Sequence, residues 1–172
     1  MANIKLAAKG PELPGGTRLI PVRDLARWGA TIYWDKAIGR ILVSRQGKEL
    51  YVRRGQKRVI IEKSSQRLIA LQGSRTVFRS NVSTGKAGYR TPNGNLMAKS
   101  KQRHKRSSLY NDAPMPYSVH LVGDIFIHGY PSVPSGPASH GCIRLPLDGT
   151  AKFFFEWVEI GTPIKVTGKW KR

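Results

Sequence analysis

Apolar and polar residues alternate along most of the chain after residue 58, which is the pattern of strands that bury one face. The segments with this alternation are residues 59–63, 67–71, 76–82, 115–122, 124–128 and 164–166. Short polar or glycine-containing stretches separate neighbouring segments, as turns do. The pattern predicts a mainly β region with short connections.

One later stretch has helical rather than alternating spacing. Asp148 is placed to cap a helix over residues 151–158, with Phe153, Phe154 and Trp157 on its buried side. A Gly-Thr-Pro sequence then ends it before the last strand. We therefore predict one late helix in the β region.

The first third of the chain has a different pattern. Residues 1–16 are small, polar and rich in glycine and proline, which predicts a flexible lead-in. Residues 17–56 predict a small α+β accessory module of the strand-helix-hairpin type. Its elements are a strand at 17–20, a helix over 21–29 that begins at Pro21, and strands at 31–34, 40–43 and 49–52. Residues 57–172 then form the main domain.

The chain is strongly basic, with 30 Lys and Arg residues against 10 Asp and Glu residues, a net charge of +20. Such a charge predicts attraction to polyanions, but does not choose among them. Residues 40–110 hold 18 of the basic residues, whereas residues 111–143 hold none. Within the basic segment, residues 99–106 read either as a solvated loop or as a flap that contacts a polyanion.

Neither targeting nor membrane insertion is visible in the pattern. The first 20 residues lack an apolar run of signal-peptide length, and no stretch approaches a transmembrane span. We expect no transmembrane segment, and export would require a leader that has been trimmed or a route that the sequence does not show.

Candidate chemistry is concentrated between residues 125 and 144, which hold the single cysteine, Cys142, and two of the four histidines. His128 ends a short apolar strand, and the loop that follows is long enough to bring Cys142 back to it. A neighbouring imidazole activates a thiol, which predicts a thiolate-imidazolium pair here. Backbone N–H groups at Gly141 and Cys142 are suited to an oxyanion, and the Gly129 carbonyl is suited to orient the imidazole.

Two other interpretations of these residues stay open. A lone cysteine among apolar neighbours is often buried and inert. A zinc site is the second alternative, since four competent ligands occur at His120, His128, His140 and Cys142. Their spacing argues against zinc, because His140 and Cys142 are only two residues apart, so we expect no metal.

These motifs resemble a known family. Residues 128–129 read His-Gly and residues 139–144 read Ser-His-Gly-Cys-Ile-Arg, which is similar to the signature of the L,D-transpeptidase catalytic domain, the YkuD-like family. Residues 83–85 and 91–94 are similar to its Thr-Gly and Thr-Pro-x-Gly turns, and the resemblance covers residues 58–167. The accessory module resembles copper amine oxidase N-terminal-like domains, but it supplies no metal ligands, so we expect no copper.

The resemblance implies a fold and a role for each matching residue. The fold is an L,D-transpeptidase-like β-sandwich with one late helix, whose nucleophile lies in a cleft under a flap. Cys142 is implied as the nucleophile, His128 as the base and Gly129 as the residue whose carbonyl orients it. The residues implied on the substrate and oxyanion side are His140, Gly141, Arg144 and Ser139.

The implied reaction is acyl transfer on peptidoglycan. A stem tetrapeptide acylates the cysteine, and an amine on another stem or on an envelope protein resolves the thioester, with no cofactor. An L,D-carboxypeptidase or another stem-peptide cysteine peptidase is the first alternative, and an inactive basic protein that binds wall or polyanion is the second. The expected partners are stem peptides and anionic envelope polymers rather than nucleic acid, and the expected location is the periplasm or cell wall.

Overall fold

The computed structural model describes residues 22–52 and 55–170. The predicted lead-in at residues 1–16, the strand at 17–20 and the helix start at Pro21 lie outside these residues. The chain divides into two compact units, Met1–Arg54 and Gly55–Arg172, and each is described by itself.

The first unit contains a 3₁₀ helix and a three-stranded antiparallel sheet. The helix spans Val22–Trp28 and has no buried residue, and Gly29 follows it with φ +75°. The strands are β1 (Thr31–Asp35), β2 (Arg40–Arg45) and β3 (Lys48–Val52), in the order β1-β2-β3. The resemblance of this unit to copper amine oxidase N-terminal-like domains stays a prediction.

The second unit contains a five-stranded and a four-stranded sheet. The first sheet has the order β6-β5-β4-β12-β7 and the second the order β11-β10-β9-β8. The strands of the first are β4 (Lys57–Glu62), β5 (Arg67–Gln72), β6 (Arg75–Asn81), β7 (Gly94–Met97) and β12 (Pro163–Thr167). Those of the second are β8 (Ser100–Arg106), β9 (Pro114–Val122), β10 (Ile125–Tyr130) and β11 (Ile143–Pro146).

A single hydrophobic cluster joins the two sheets. Val59, Leu68 and Ile164 come from the five-stranded sheet, and Leu121 and Ile127 from the four-stranded sheet, each with no more than 1% of its surface exposed. Buried positions alternate with half-buried ones along β4 and β5, because successive side chains of a strand point to opposite faces and only one face of each strand enters this cluster. The predicted β-sandwich with one late helix is confirmed.

The helix α1 (Thr150–Trp157) differs from the prediction in two details. Its N-cap is Gly149 rather than Asp148, although the Asp148 Oδ1 accepts a hydrogen bond from the Thr150 N–H at 3.1 Å. Phe153 is 47% exposed, because the buried positions are Ala151 and Phe154, which are three residues apart and share one helical face. Among the described residues, no helix has the length and apolar character needed to cross a membrane.

Within the basic run at residues 99–106, residues 100–106 form the edge strand β8 rather than a solvated loop, and the flap that contacts a polyanion stays a prediction. It pairs antiparallel with β9, and three of its cationic side chains, from Lys101, Arg103 and Lys105, lie over aromatic rings. Lys101 Nζ is 4.6 Å from the Phe155 ring centroid and donates a hydrogen bond to the Val158 carbonyl at 2.7 Å. Long cationic side chains cover apolar rings while their charges stay hydrated, and Lys on an edge strand opposes pairing with other chains.

Candidate active site

Parallel pairing of β10 and β11 brings the predicted base and nucleophile together. His128 lies opposite Arg144 in this pair, and Cys142 immediately precedes β11. Both side chains line one open cavity of about 190 Å³. The residues around it are Ser107, Tyr110, Ala113, Pro114, Met115, His128, Tyr130, Ser139, His140, Cys142 and Arg144.

His128 is buried and oriented by its own neighbour. Its Nδ1 lies 2.9 Å from the Gly129 carbonyl oxygen, and since a carbonyl only accepts, Nδ1 donates and Nε2 keeps its lone pair. Burial lowers the pKa of His128 to about 4, and the positive charge of Arg144 acts in the same direction against the Gly129 hydrogen bond. The imidazole is therefore neutral near pH 7.

The surroundings of Cys142 favour its protonated form. Burial raises the pKa of the thiol, and the Phe126 backbone and the Arg144 charge only partly oppose this. The Sγ lies 3.4 Å from the Asp124 carbonyl oxygen, to which it donates. Burial therefore favours the thiol and the neutral imidazole in this pair, and the thiolate-imidazolium pair expected from the sequence stays a prediction.

Two hydroxyl groups hold the loop that carries the nucleophile. Ser139 Oγ donates to the Cys142 carbonyl and accepts from the Gly141 N–H at 3.1 Å. Thr91 Oγ1 donates to the Gly141 carbonyl at 2.6 Å and accepts from the Gly85 N–H at 2.9 Å. The Gly141 N–H is thus occupied rather than free for an oxyanion, whereas the Cys142 N–H has no acceptor among the described residues.

The two glycines of the motif are required for different reasons. Gly141 has φ +114°, a conformation that side chains disfavour, and a Cβ there would lie 2.8 Å from Ile125 Cδ1. Gly129 is buried, and a Cβ there would overlap Leu147 and lie 3.1 Å from the Ala151 Cβ. Close packing beside α1 therefore explains why this position is a glycine.

His140 lies exposed at the rim of the cavity between two tyrosines. Its ring stacks on Tyr110 with centroids 4.7 Å apart and planes at 27°, and it meets Tyr89 edge to face at 4.7 Å. Partial burial lowers the pKa of His140, and the charges of Lys86 and Arg144 add to this. His140 is placed to contact a ligand rather than to act as a buried base.

Arg144 brings a positive charge to the cavity. Its guanidinium carbon lies 3.9 Å from the Tyr130 ring centroid, which fixes the side chain through a cation–π contact. Within residues 22–52 and 55–170, it has no carboxylate partner. The guanidinium is therefore available to an anionic group that enters the cavity.

Several residues of the site were missed from the sequence. Tyr110 and Met115 come from the turn after β8 and the start of β9, about 30 residues before the motif, and Tyr130 comes from the end of β10. An aromatic residue inside a polar turn was the available signal for Tyr110. Thr91 lies in the Thr-Pro-x-Gly turn already noted, but its contact with Gly141 depends on tertiary structure.

One candidate ligand of the zinc alternative, His120, is absent from the cavity that His128, His140 and Cys142 line. His120 lies on β9, where its Nε2 is 2.7 Å from the Gly123 carbonyl oxygen and its ring packs on Phe126. In the part of the chain that the structure describes, no group of three or more His, Cys, Asp or Glu residues is arranged to hold a metal ion.

Comparison with known families and structures gives a consistent result. Residues 56–166 match the family model described as the L,D-transpeptidase catalytic domain, YkuD. No curated protein matches the chain.

Three solved structures illustrate the fold similarity. An L,D-transpeptidase from Stackebrandtia nassauensis is 25% identical with a TM-score of 0.62, over 74% of this chain and 62% of that chain. An L,D-transpeptidase from Xylanimonas cellulosilytica is 28% identical with a TM-score of 0.56, over 66% of this chain and 61% of that chain. L,D-transpeptidase 3 from Mycobacterium tuberculosis, in complex with a faropenem-derived adduct, is 19% identical with a TM-score of 0.59, over 74% and 67%. This chain thus spans about three fifths of the first two.

Proposed function

The chain belongs to the family of L,D-transpeptidase catalytic domains, and we propose that it transfers an acyl group from a peptidoglycan stem peptide to an amine through a thioester on Cys142. The observation that carries this proposal is that one cavity is lined by the thiol of Cys142 and by the imidazole of His128, whose second nitrogen is free. His128 Nδ1 is engaged by the Gly129 carbonyl, so Nε2 is the basic nitrogen in the cavity that Cys142 lines.

In the first step, His128 acts as a general base. Nε2 takes the thiol proton as Sγ attacks the carbonyl carbon of the third residue of a stem tetrapeptide. The tetrahedral intermediate collapses when the C–N bond to the terminal D-alanine breaks, and the imidazolium returns the proton to the leaving amine. The products are a thioester on Cys142, free D-alanine and a neutral His128.

In the second step, the acceptor amine gives a proton to His128 and attacks the thioester. The C–S bond breaks, and the proton returns to Sγ, so the resting thiol and neutral imidazole are restored. An amine of another stem gives a cross-link, and an amine of an envelope protein gives an anchored protein. Water in the same place makes the reaction an L,D-carboxypeptidase reaction.

The low pKa of His128 and the raised pKa of Cys142 shape this mechanism. In this proposal proton transfer accompanies attack, because burial disfavours a preformed ion pair, and the transition state requires stabilisation of the developing oxyanion. The unoccupied Cys142 N–H is the available donor at the nucleophile, and such a donor contributes about 3 kcal/mol. Arg144 and His140 are proposed to hold a carboxylate of the stem peptide at the rim.

The test is product analysis with disaccharide-tetrapeptide stems. The wild-type chain should form a dimer that has one D-alanine fewer than two stems, and Cys142→Ala, which removes the nucleophile, should form none. Mass spectrometry of the products makes this measurement. If the Cys142→Ala chain retained full activity, the proposed mechanism would be wrong.

The same experiment separates the alternatives. Release of D-alanine without dimer supports a carboxypeptidase or a different acceptor. An unchanged substrate with the wild-type chain supports the inactive wall-binding or polyanion-binding protein. Because peptidoglycan lies outside the cytoplasmic membrane, the proposed reaction places the protein in the periplasm or cell wall.

A further inference from the structure

A second cavity in the same unit is larger than the catalytic one and shares no lining residue with it. Its volume is about 420 Å³. Four cationic side chains line it, from Lys63, Lys86, Arg90 and Lys169, and none of its lining residues is acidic. A concave surface of this unit is therefore lined by four cationic residues and by no acidic one.

These cations lack neutralising partners. Lys63 Nζ donates to the Thr91 carbonyl at 2.7 Å, and Lys86 Nζ lies 5.3 Å from the Tyr89 ring centroid, but neither contact removes the charge. In the described ranges, 22–52 and 55–170, no carboxylate forms an ion pair with any of the four. Burial and the charge of Arg90 lower the pKa of Lys63, so like charges repel across the cavity and a bound anion would relieve this repulsion.

An aromatic ring forms another part of the wall. Trp170 is 37% exposed, and its indole lies above Gly136, where a Cβ would meet the ring at 3.5 Å. The side-chain amide of Asn93 also lines the cavity, and it can both donate and accept hydrogen bonds. A flat apolar face beside cations and an amide suits a ligand that has a ring face, hydroxyl groups and a negative charge.

We propose that this cavity binds an anionic glycan, with a phosphate or carboxylate group among Lys63, Lys86, Arg90 and Lys169 and a sugar ring against Trp170. This site is separate from the acyl-transfer cavity. It would be the place where the chain binds anionic envelope polymers. It also touches the catalytic loop, because Thr91 accepts from Lys63 through its carbonyl and donates to the Gly141 carbonyl through Oγ1.

The test is isothermal titration calorimetry on the full chain with four probes: glucose 6-phosphate, glucuronate, glucose and inorganic phosphate. The charged sugars should bind on the order of tenfold more tightly than glucose or inorganic phosphate, because only they use both the cations and the indole. The tighter of the two charged sugars shows whether the natural group is a phosphate or a carboxylate.

Matched variants locate the binding. Arg90→Gln with Lys169→Gln should weaken glucose 6-phosphate on the order of tenfold, since charge-assisted hydrogen bonds are lost. Arg75→Gln with Lys152→Gln removes the same charge at exposed positions outside the cavity and should leave affinity unchanged. Trp170→Ala should reduce the affinity for glucose 6-phosphate to that for inorganic phosphate.

Three results would overturn the proposal. Equal affinity for glucose 6-phosphate in the two double variants would mean that binding depends only on the net charge of the chain. Equal affinity for glucose 6-phosphate and inorganic phosphate indicates an adventitious ion only. Binding of a single-stranded oligonucleotide more tightly than a glucuronate polymer, with dependence on Arg90 and Lys169, assigns the cavity to nucleic acid. Cys142→Ala should bind as the wild type does, so these outcomes are independent of acyl transfer.

Discussion

At the scale of single residues, burial controls the charge of the reactive pair. His128 is only 5% exposed, and its imidazole is neutral at neutral pH although it lines an open cavity. The energetic cost of burying a charge therefore favours a base that is free to accept a proton.

The pH dependence of stability follows from the pKa of His128. Its pKa is about 4 in the folded chain and 6.5 in the unfolded chain, so between these values the unfolded state binds more protons. The free energy of unfolding should therefore fall as pH falls from 6.5 to 4, by about 3 kcal/mol from this group. Urea unfolding at pH 7 and pH 4 measures the change.

His128→Gln is the control, because it removes this titration and leaves the carboxylates that titrate in the same range. The decrease between pH 7 and pH 4 should be smaller in the variant than in the wild type. An identical decrease in both chains would contradict the low pKa of His128.

Substitution of Gly141 should reduce activity more severely than it reduces the stability of the fold. Gly141→Ala places a side chain at φ +114° and forces Ile125 to move, which shifts the adjoining Cys142. We expect a loss of about 1–2 kcal/mol in the free energy of unfolding and a loss of most turnover. Gly149→Ala has a similar strain at φ +102° but meets no atom within 4 Å, so it should retain activity. Urea unfolding and dimer formation distinguish the two variants, and equal activity in both would refute the argument.

At the scale of elements, the site lies where the connection between β10 and β11 meets the turn between β8 and β9. The β10–β11 pair aligns His128 with Arg144, and the turn between β8 and β9 brings Tyr110 onto His140. The hydroxyl contacts of Thr91 and Ser139 then hold the loop before β11. The basic edge strand β8 is therefore part of the support of the site, because it carries the turn that covers it.

Tyr110 should contribute to catalysis through this covering turn. Tyr110→Ala removes the ring that stacks on His140 and should lower kcat/KM roughly 3- to 10-fold, the equivalent of one aromatic contact. Tyr110→Phe keeps the ring and should retain most activity. Leu109→Ala changes a neighbouring residue that is 57% exposed and should have little effect. Steady-state kinetics with stem peptides tests this, and a Tyr110→Ala chain as active as Leu109→Ala would exclude the role.

At the scale of the whole molecule, the residues of both cavities belong to the second unit. The hydrophobic cluster that joins its two sheets also lies entirely between residues 59 and 166. Folding of this unit therefore depends on contacts within itself, as expected of a domain with its own core.

A chain of residues 55–172 should consequently fold and react on its own. We expect a single cooperative unfolding transition and the same products from stem peptides as the full chain, because all described site residues are present. Circular dichroism during heating and product analysis provide the measurements, with the Cys142→Ala form of the shorter chain as the control for activity. A shorter chain without a cooperative transition would show that the second unit is not an independent domain.

The sequence by itself determined most strands, the late helix and the position of the reactive motif. Alternation has a period of two in a half-buried strand, so β4, β5, β9 and β10 are visible in the order of apolar residues. The turn residues between these strands are local features of the sequence. The His-Gly and Ser-His-Gly-Cys segments are local features as well. They are readable without knowing which parts of the chain meet.

Only the tertiary structure decided the features that depend on distant neighbours. The strand β8 carries polar side chains on both faces, and it is ordered by pairing with β9 and by rings such as Phe155. Burial favours the neutral forms of His128 and Cys142, and no local pattern reports burial. The basic cavity joins Lys63 to Lys169, more than 100 residues apart. Local sequence encodes backbone preference, whereas charge state and cavity shape arise when separate segments exclude water together.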